Sequence, residues 1–174
     1  MAPLLLMVAL TSAARPFGPS EPSEAEIKAV LIYKFAKFVT WPEDRFEDRE
    51  SPVVFGVLGE TPIAKALETT LEGRTIQGRS CLVRRFENVE ELGYSHALFI
   101  SRPISEELAP VLKAIGDSPT LLVGDRAYFA HEGGMINFYH RGGSIRFEIH
   151  PQAAKGTGLT IDAKLLQLAR IISD

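Results

Sequence analysis

Val53–Leu58 reads VVFGVL, an uncharged run with three valines, bounded by Pro52 and Gly59. A short, continuous, β-branched run between breakers predicts a strand buried on both faces, as in the interior of a parallel sheet. Thr61 and Pro62 follow as an N-cap and a first-turn proline, so a helix opens there and runs to about Leu71, where Gly73 stops it. The same alternation then repeats. Arg79–Phe86 predicts a second strand, and its mixed polarity places it near a sheet edge. Ala97–Ile100 (ALFI) is a third, followed by a helix opening at Pro103 that carries Leu108, Val111, Leu112 and Ile115 at helical spacing and closes at Gly116. Thr120–Val123 (TLLV) is a fourth. Strands alternating with helices across short connections predict a parallel sheet with right-handed crossovers.

Outward from this centre the pattern changes. Gly134–His140 and Ser144–Ile149 are extended segments around Arg141-Gly142-Gly143, which predicts an antiparallel hairpin. Ser144, Arg146 and Glu148 alternate with Ile145, Phe147 and Ile149, so one face is expected wet and the other packed. A last helix is expected from about Asp162, with Leu165, Leu166, Leu168, Ala169 and Ile172 on its apolar side. Upstream, Ile27–Pro42 (IKAVLIYKFAKFVTWP) predicts a helix. Ser23 and Glu26 form its capping box, Ile27, Val30, Leu31, Phe35 and Phe38 its stripe, which Ala29, Ile32 and Ala36 widen beyond one face, and Pro42 its end. Lys28, Lys34 and Lys37 are its polar positions. The expected fold is one α/β domain over 23–174: a three-layer arrangement with a mostly parallel sheet, a C-terminal antiparallel hairpin and helices on both faces.

A chain of 174 residues with 45% hydrophobic content is long enough for an ordinary core. Its net charge of −3 and the absence of a basic stripe with interleaved aromatics argue against nucleic acid as a partner. The charge run Glu43–Glu50 mixes signs and reads as a solvated linker. Residues 1–14 carry no charge; Pro3–Leu10 is apolar, and Ser12 and Ala14 stand as small residues ahead of Arg15. This predicts a secretory signal at 1–14, too short to span a bilayer, and export to a periplasm. Residues 15–22, with three prolines, form a flexible lead-in.

Little in the residues calls for catalysis. The turn Gly56–Thr61 has two glycines before a helix, but Glu60 would repel a phosphate, and both a Walker lysine and the third dinucleotide glycine are missing. The four histidines have no metal-ligand spacing, and Cys81 has no partner for a disulfide and no activating neighbour. Ser101 ends a strand without a glycine-flanked elbow. No catalytic residue, metal ligand or cofactor site is therefore assigned.

The candidate partner- or ligand-binding residues are Trp41, Arg146 and Glu148. Arg146 and Glu148 share one face of the hairpin about 7 Å apart. They read either as a solvent-facing ion pair or as a site where Arg146 holds a carboxylate. Trp41 reads either as a core plug or as an exposed aromatic anchor.

Six blocks in order are similar to the YfiR family of bacterial periplasmic proteins: Lys28–Pro42, Phe55–Gly59, Ser95–Arg102, Gly133–Phe138, Arg146–Leu159 and Lys164–Ile171. The resemblance implies an α/β domain without catalytic activity that forms homodimers. It implies repression of a membrane-bound diguanylate cyclase, through that enzyme's periplasmic region, with an outer-membrane lipoprotein sequestering the repressor. Because Cys81 is the sole cysteine, the disulfide-based control attributed to some relatives has no counterpart here. The second reading is a periplasmic small-molecule sensor or carrier, working with a membrane sensor kinase or transporter, with a cleft lined by Trp41, Arg146 and Glu148.

Overall fold

A computed structural model describes residues 21–105 and 107–173. The expected signal and most of the lead-in lie outside the described residues. In chain order the elements are α1 (Glu24–Lys37), β1 (Val39–Thr40), β2 (Val53–Leu58), α2 (Pro62–Leu71), β3 (Thr75–Ile76), β4 (Arg79–Phe86), β5 (Ala97–Ile100), α3 (Arg102–Ser105), α4 (Leu108–Ile115) and β6 (Leu121–Gly124). They continue as β7 (Ile136–Arg141), β8 (Ser144–Ile149), α5 (Pro151–Gly156), β9 (Thr160–Ile161), α6 (Ala163–Leu166) and β10 (Arg170–Ile171).

The main sheet has the order β10-β8-β7-β6-β5-β2-β4-β3. Strands β4, β2, β5, β6 and β7 run parallel, and β8 returns antiparallel to β7. All six residues of β2 are buried, as an interior parallel strand requires. Gly56 is needed there: a Cβ would sit 2.3 Å from Ser95 Oγ and 2.7 Å from Leu98 Cδ1. The chain leaves β2 toward β4 through α2, but leaves β5 in the opposite direction toward β6 through α3 and α4. Right-handed crossovers therefore put α2 on one face and α4 on the other, giving three layers. Helix α1 packs beside α2. As expected, β4 lies near an edge, with only the two-residue β3 outside it.

Four sequence expectations are corrected. The first concerns α1, which starts at the predicted capping box but ends at Lys37 rather than at Pro42. Val39 and Thr40 pair instead with Ile161 and Thr160, and the Asp162 N–H donates to the Phe38 carbonyl. Its packed side is Ala29, Ile32, Tyr33, Phe35 and Ala36 together with Lys28, while Ile27 and Val30 are 36% and 39% exposed. Small alanines let the helix approach closely, and apolar residues nearly all round it left its rotation open to tertiary packing.

The second correction is that the helix after β5 is broken into α3 and α4. The third is the hairpin turn, which is only Gly142-Gly143, with φ of 59° and 74°; Arg141 already pairs with Ser144. These positive φ values match the primed turns that suit strand twist. The fourth is the last helix. Asp162 caps it as expected, accepting from the Lys164 N–H, but α6 lasts one turn. The chain then forms β10 beside β8, leaving Leu168 73% exposed.

Candidate functional site

The structure separates the three candidate residues. Trp41 is a core residue, 4% exposed, and its indole N–H donates to the His96 carbonyl at 2.9 Å. It meets the His96 ring edge-on, and Phe46 stacks on that ring with centroids 4.5 Å apart. His96 Nδ1 accepts from the Val54 N–H at 3.0 Å, which ties the cluster to β2. Burial pushes the His96 pKa down to about 4; the Arg45 and Arg79 charges act the same way, against a raising contact with the Arg45 backbone. Trp41 is therefore buried rather than part of an exposed cleft, and its partner His96, directly ahead of β5, lies three strands from the β8 that carries Arg146 and Glu148.

Arg146 and Glu148 share a face of β8, but they do not form the ion pair that one of the two sequence readings expects. Arg146 is exposed opposite Tyr139, whereas Glu148 is 2% exposed. Its carboxylate accepts from Asn137 Nδ2 at 2.9 Å and from Arg170 Nε at 3.0 Å, with a second, shorter contact to Arg170 Nη2. This pairing raises the Arg170 pKa further. A carboxylate needs such partners to stay buried. The wet face expected for the hairpin is thus wet at Ser144 and Arg146 and closed at Glu148.

What the hairpin does present is an open cavity of about 730 Å³, whose walls include Leu31, Tyr139, Arg141, Arg146, Leu168 and Arg170. The Arg170 guanidinium lies 4.4 Å from the Tyr139 ring centroid. Ile171 is a further half-exposed apolar residue on β10. Guanidinium groups beside exposed aliphatic and aromatic side chains combine the chemistry of carboxylate recognition with that of interface anchors. The sequence reading missed Arg170, Arg141 and Tyr139. A lone glutamate on the polar side of the hairpin, with an arginine in the apolar C-terminal run, was the available signal.

Burial raises the Cys81 pKa, so the thiol is held protonated. Among the described residues no group of three His, Cys, Asp or Glu stands together for a metal. Also among the described residues, no helix is long and apolar enough to cross a membrane.

The fold and this surface define a three-layer α/β domain that exposes a basic, apolar-rimmed face at one end of its sheet. Residues 25–170 match the family described as YfiR/HmsC-like. The chain belongs to that family, which consists of regulators rather than enzymes. Two solved structures share the fold at low identity. One is the ABC domain in complex with L-Trp from Streptococcus pneumonia, with a TM-score of 0.56, 12% identity, and 83% of this chain and 60% of that chain covered. The other is a conserved domain protein from Vibrio cholerae, with a TM-score of 0.53, 13% identity, and 88% and 62% covered. The chain thus spans about three-fifths of the length of each. A search of curated proteins returned no match.

Proposed function

We propose that this protein is a periplasmic regulator that binds and represses the periplasmic region of a membrane-bound diguanylate cyclase, and so controls cyclic-di-GMP. Family membership over residues 25–170 supports the regulatory theme. The observation that carries the docking role is the hairpin face, where Arg141 and Arg146 stand beside exposed Leu168. An acidic segment with an apolar anchor is the complementary partner chemistry. Residues 1–14 act in this reading as the export signal, the repressor works as a homodimer, and an outer-membrane lipoprotein competes for it.

The test is binding of the cyclase's periplasmic region to immobilised protein. Arg146→Glu is expected to weaken capture at least about ten-fold, one buried charge-assisted contact being worth roughly 1.5–3 kcal/mol. Unchanged capture would move the docking face elsewhere. Fractionation of cells producing the full chain checks export; a purely cytoplasmic protein would contradict the reading.

A second reading is favoured by the size of the same cavity. At about 730 Å³ it has room for a small carboxylate-bearing ligand held by Arg146, which would make the domain a sensor or carrier acting with a membrane kinase or transporter. Such a ligand at a hundred times its Kd would add about 2.7 kcal/mol of stability. Thermal shifts with aromatic acids, compared between the unaltered protein and Arg146→Gln, distinguish this reading from repression alone.

A further inference from the structure

The hairpin face also carries an open strand edge. Strand β10 pairs with β8 only at Glu148 and Ile149, which leaves Ser144–Phe147 with no strand on that side of the sheet. The hairpin register decides which backbone groups look outward. Arg141 and Ser144 close the two-residue turn and so form a hydrogen-bonded pair, and Tyr139–Arg146 and Asn137–Glu148 follow in step. The N–H and C=O groups of Ser144, Arg146 and Glu148 therefore turn toward β7, and those of Ile145, Phe147 and Ile149 turn away. The Ile149 carbonyl agrees, accepting from the Ile172 N–H at 2.8 Å on the β10 side. Upstream, the Ile145 N–H and C=O and the Phe147 N–H have no strand to meet.

The cavity of about 730 Å³ lies along this edge. Its walls include Ser144 and Arg146 from one face of β8 and Ile145 and Phe147 from the other, which a single cavity combines by wrapping the free side of the strand. The two faces differ in chemistry. On one stand Arg141 and Arg146, with Arg170 committed to Glu148. On the other, the Phe147 ring packs on Phe35 of α1 with centroids 4.7 Å apart, and Leu31 of the same helix joins the wall.

An added strand sends alternate side chains to these two surfaces. Carboxylates suit the arginine side, and aliphatic groups suit the side of Ile145, Phe147 and Leu31. A second copy of this chain is the wrong occupant. Antiparallel pairing of the same free stretch about a two-fold axis would set Arg146 opposite or diagonal to its own copy, where like charges repel.

We infer that the partner docks by strand addition: an extended segment of the partner protein, alternating acidic and apolar residues, pairs its backbone with Ile145 and Phe147 and continues the sheet beside Ser144–Phe147. This deepens the docking role proposed for the hairpin face and rests on it, while the identity of the partner as a cyclase does not enter.

NMR titration of the isotopically labelled full chain tests it with three blocked octapeptides. One alternates glutamate and valine, one alternates lysine and valine, and the third is the glutamate peptide N-methylated at every residue. The glutamate peptide is expected to move the Ile145 and Phe147 amide signals and slow their hydrogen exchange, binding about ten-fold or more tighter than the lysine peptide. N-methylation is expected to abolish binding, because it removes every backbone donor and keeps the side chains. Arg146→Glu, at an exposed position, is expected to reverse the preference between the two charged peptides. Three results would overturn the proposal: undiminished binding of the N-methylated peptide, silence with all three, or shifts confined to β4, whose Cys81–Phe86 also lacks an outer strand. Capture of the cyclase's periplasmic region is scored separately. Peptide binding without capture removes the cyclase and leaves strand addition, whereas capture that leaves the Ile145 and Phe147 amides unmoved removes strand addition and leaves the cyclase.

Discussion

At the scale of the residue, Trp41, His96 and Glu148 carry the clearest expectations. Trp41→Ala removes a buried indole and its hydrogen bond to the His96 carbonyl, and is expected to lower stability by about 3–5 kcal/mol in a urea melt. His96 is neutral when folded, with its pKa near 4, and takes a proton more readily once unfolded, where the ordinary value is near 6.5. The unfolded state therefore binds the extra proton between those values. Stability falls as pH drops from about 7 to 4, by about 3 kcal/mol from this group, and levels off below. His96→Asn keeps an acceptor for the Val54 N–H, and is expected to flatten the stability–pH profile in that window. Arg170→Ala leaves the buried Glu148 carboxylate with Asn137 alone, at an expected cost of about 1.5–3 kcal/mol. Arg146→Ala, on the same face but unpaired with Glu148, is expected to cost under about 0.5 kcal/mol. Equal effects of the two would restore the Arg146–Glu148 pair that the sequence invited.

At the scale of the element, α1 shows where pattern reading loses its grip. Its capping box was legible because a cap is a local event between Ser23 and Glu26. Its buried side was not, since Ile27, Val30 and Leu31 are as apolar as Ile32 and Phe35, and only the surface of the sheet chooses among them. Val30→Glu is expected to change the urea midpoint little, within about 0.5 kcal/mol, whereas Ile32→Ala should cost about 2–5 kcal/mol. The C-terminal run failed for a related reason. Its leucines fit a helix, but one turn suffices to bury Leu165, and a longer helix would leave β8 without β10 and Glu148 without Arg170.

At the scale of the molecule, β10 also shields part of the β8 edge, which would otherwise offer unpaired backbone to another chain. Truncation after Gln167 is expected to lower the melting temperature and to promote self-association, read by light scattering. The regulatory reading also belongs at this scale, because it needs the hairpin, β10 and α1 together to form one docking face.

The alternation of VVFGVL, ALFI and TLLV with capped helices was enough to establish a parallel α/β sheet, and Gly142-Gly143 its hairpin, because strand burial, caps and turns are written in neighbouring residues. The family came from the resemblance of six blocks in order. Strand order, the rotation of α1, the burial of Trp41 and the transfer of Glu148 from Arg146 to Arg170 emerged only in three dimensions. Those outcomes depend on which surfaces exclude water together, and that competition is decided by packing across the whole sheet rather than by any one segment.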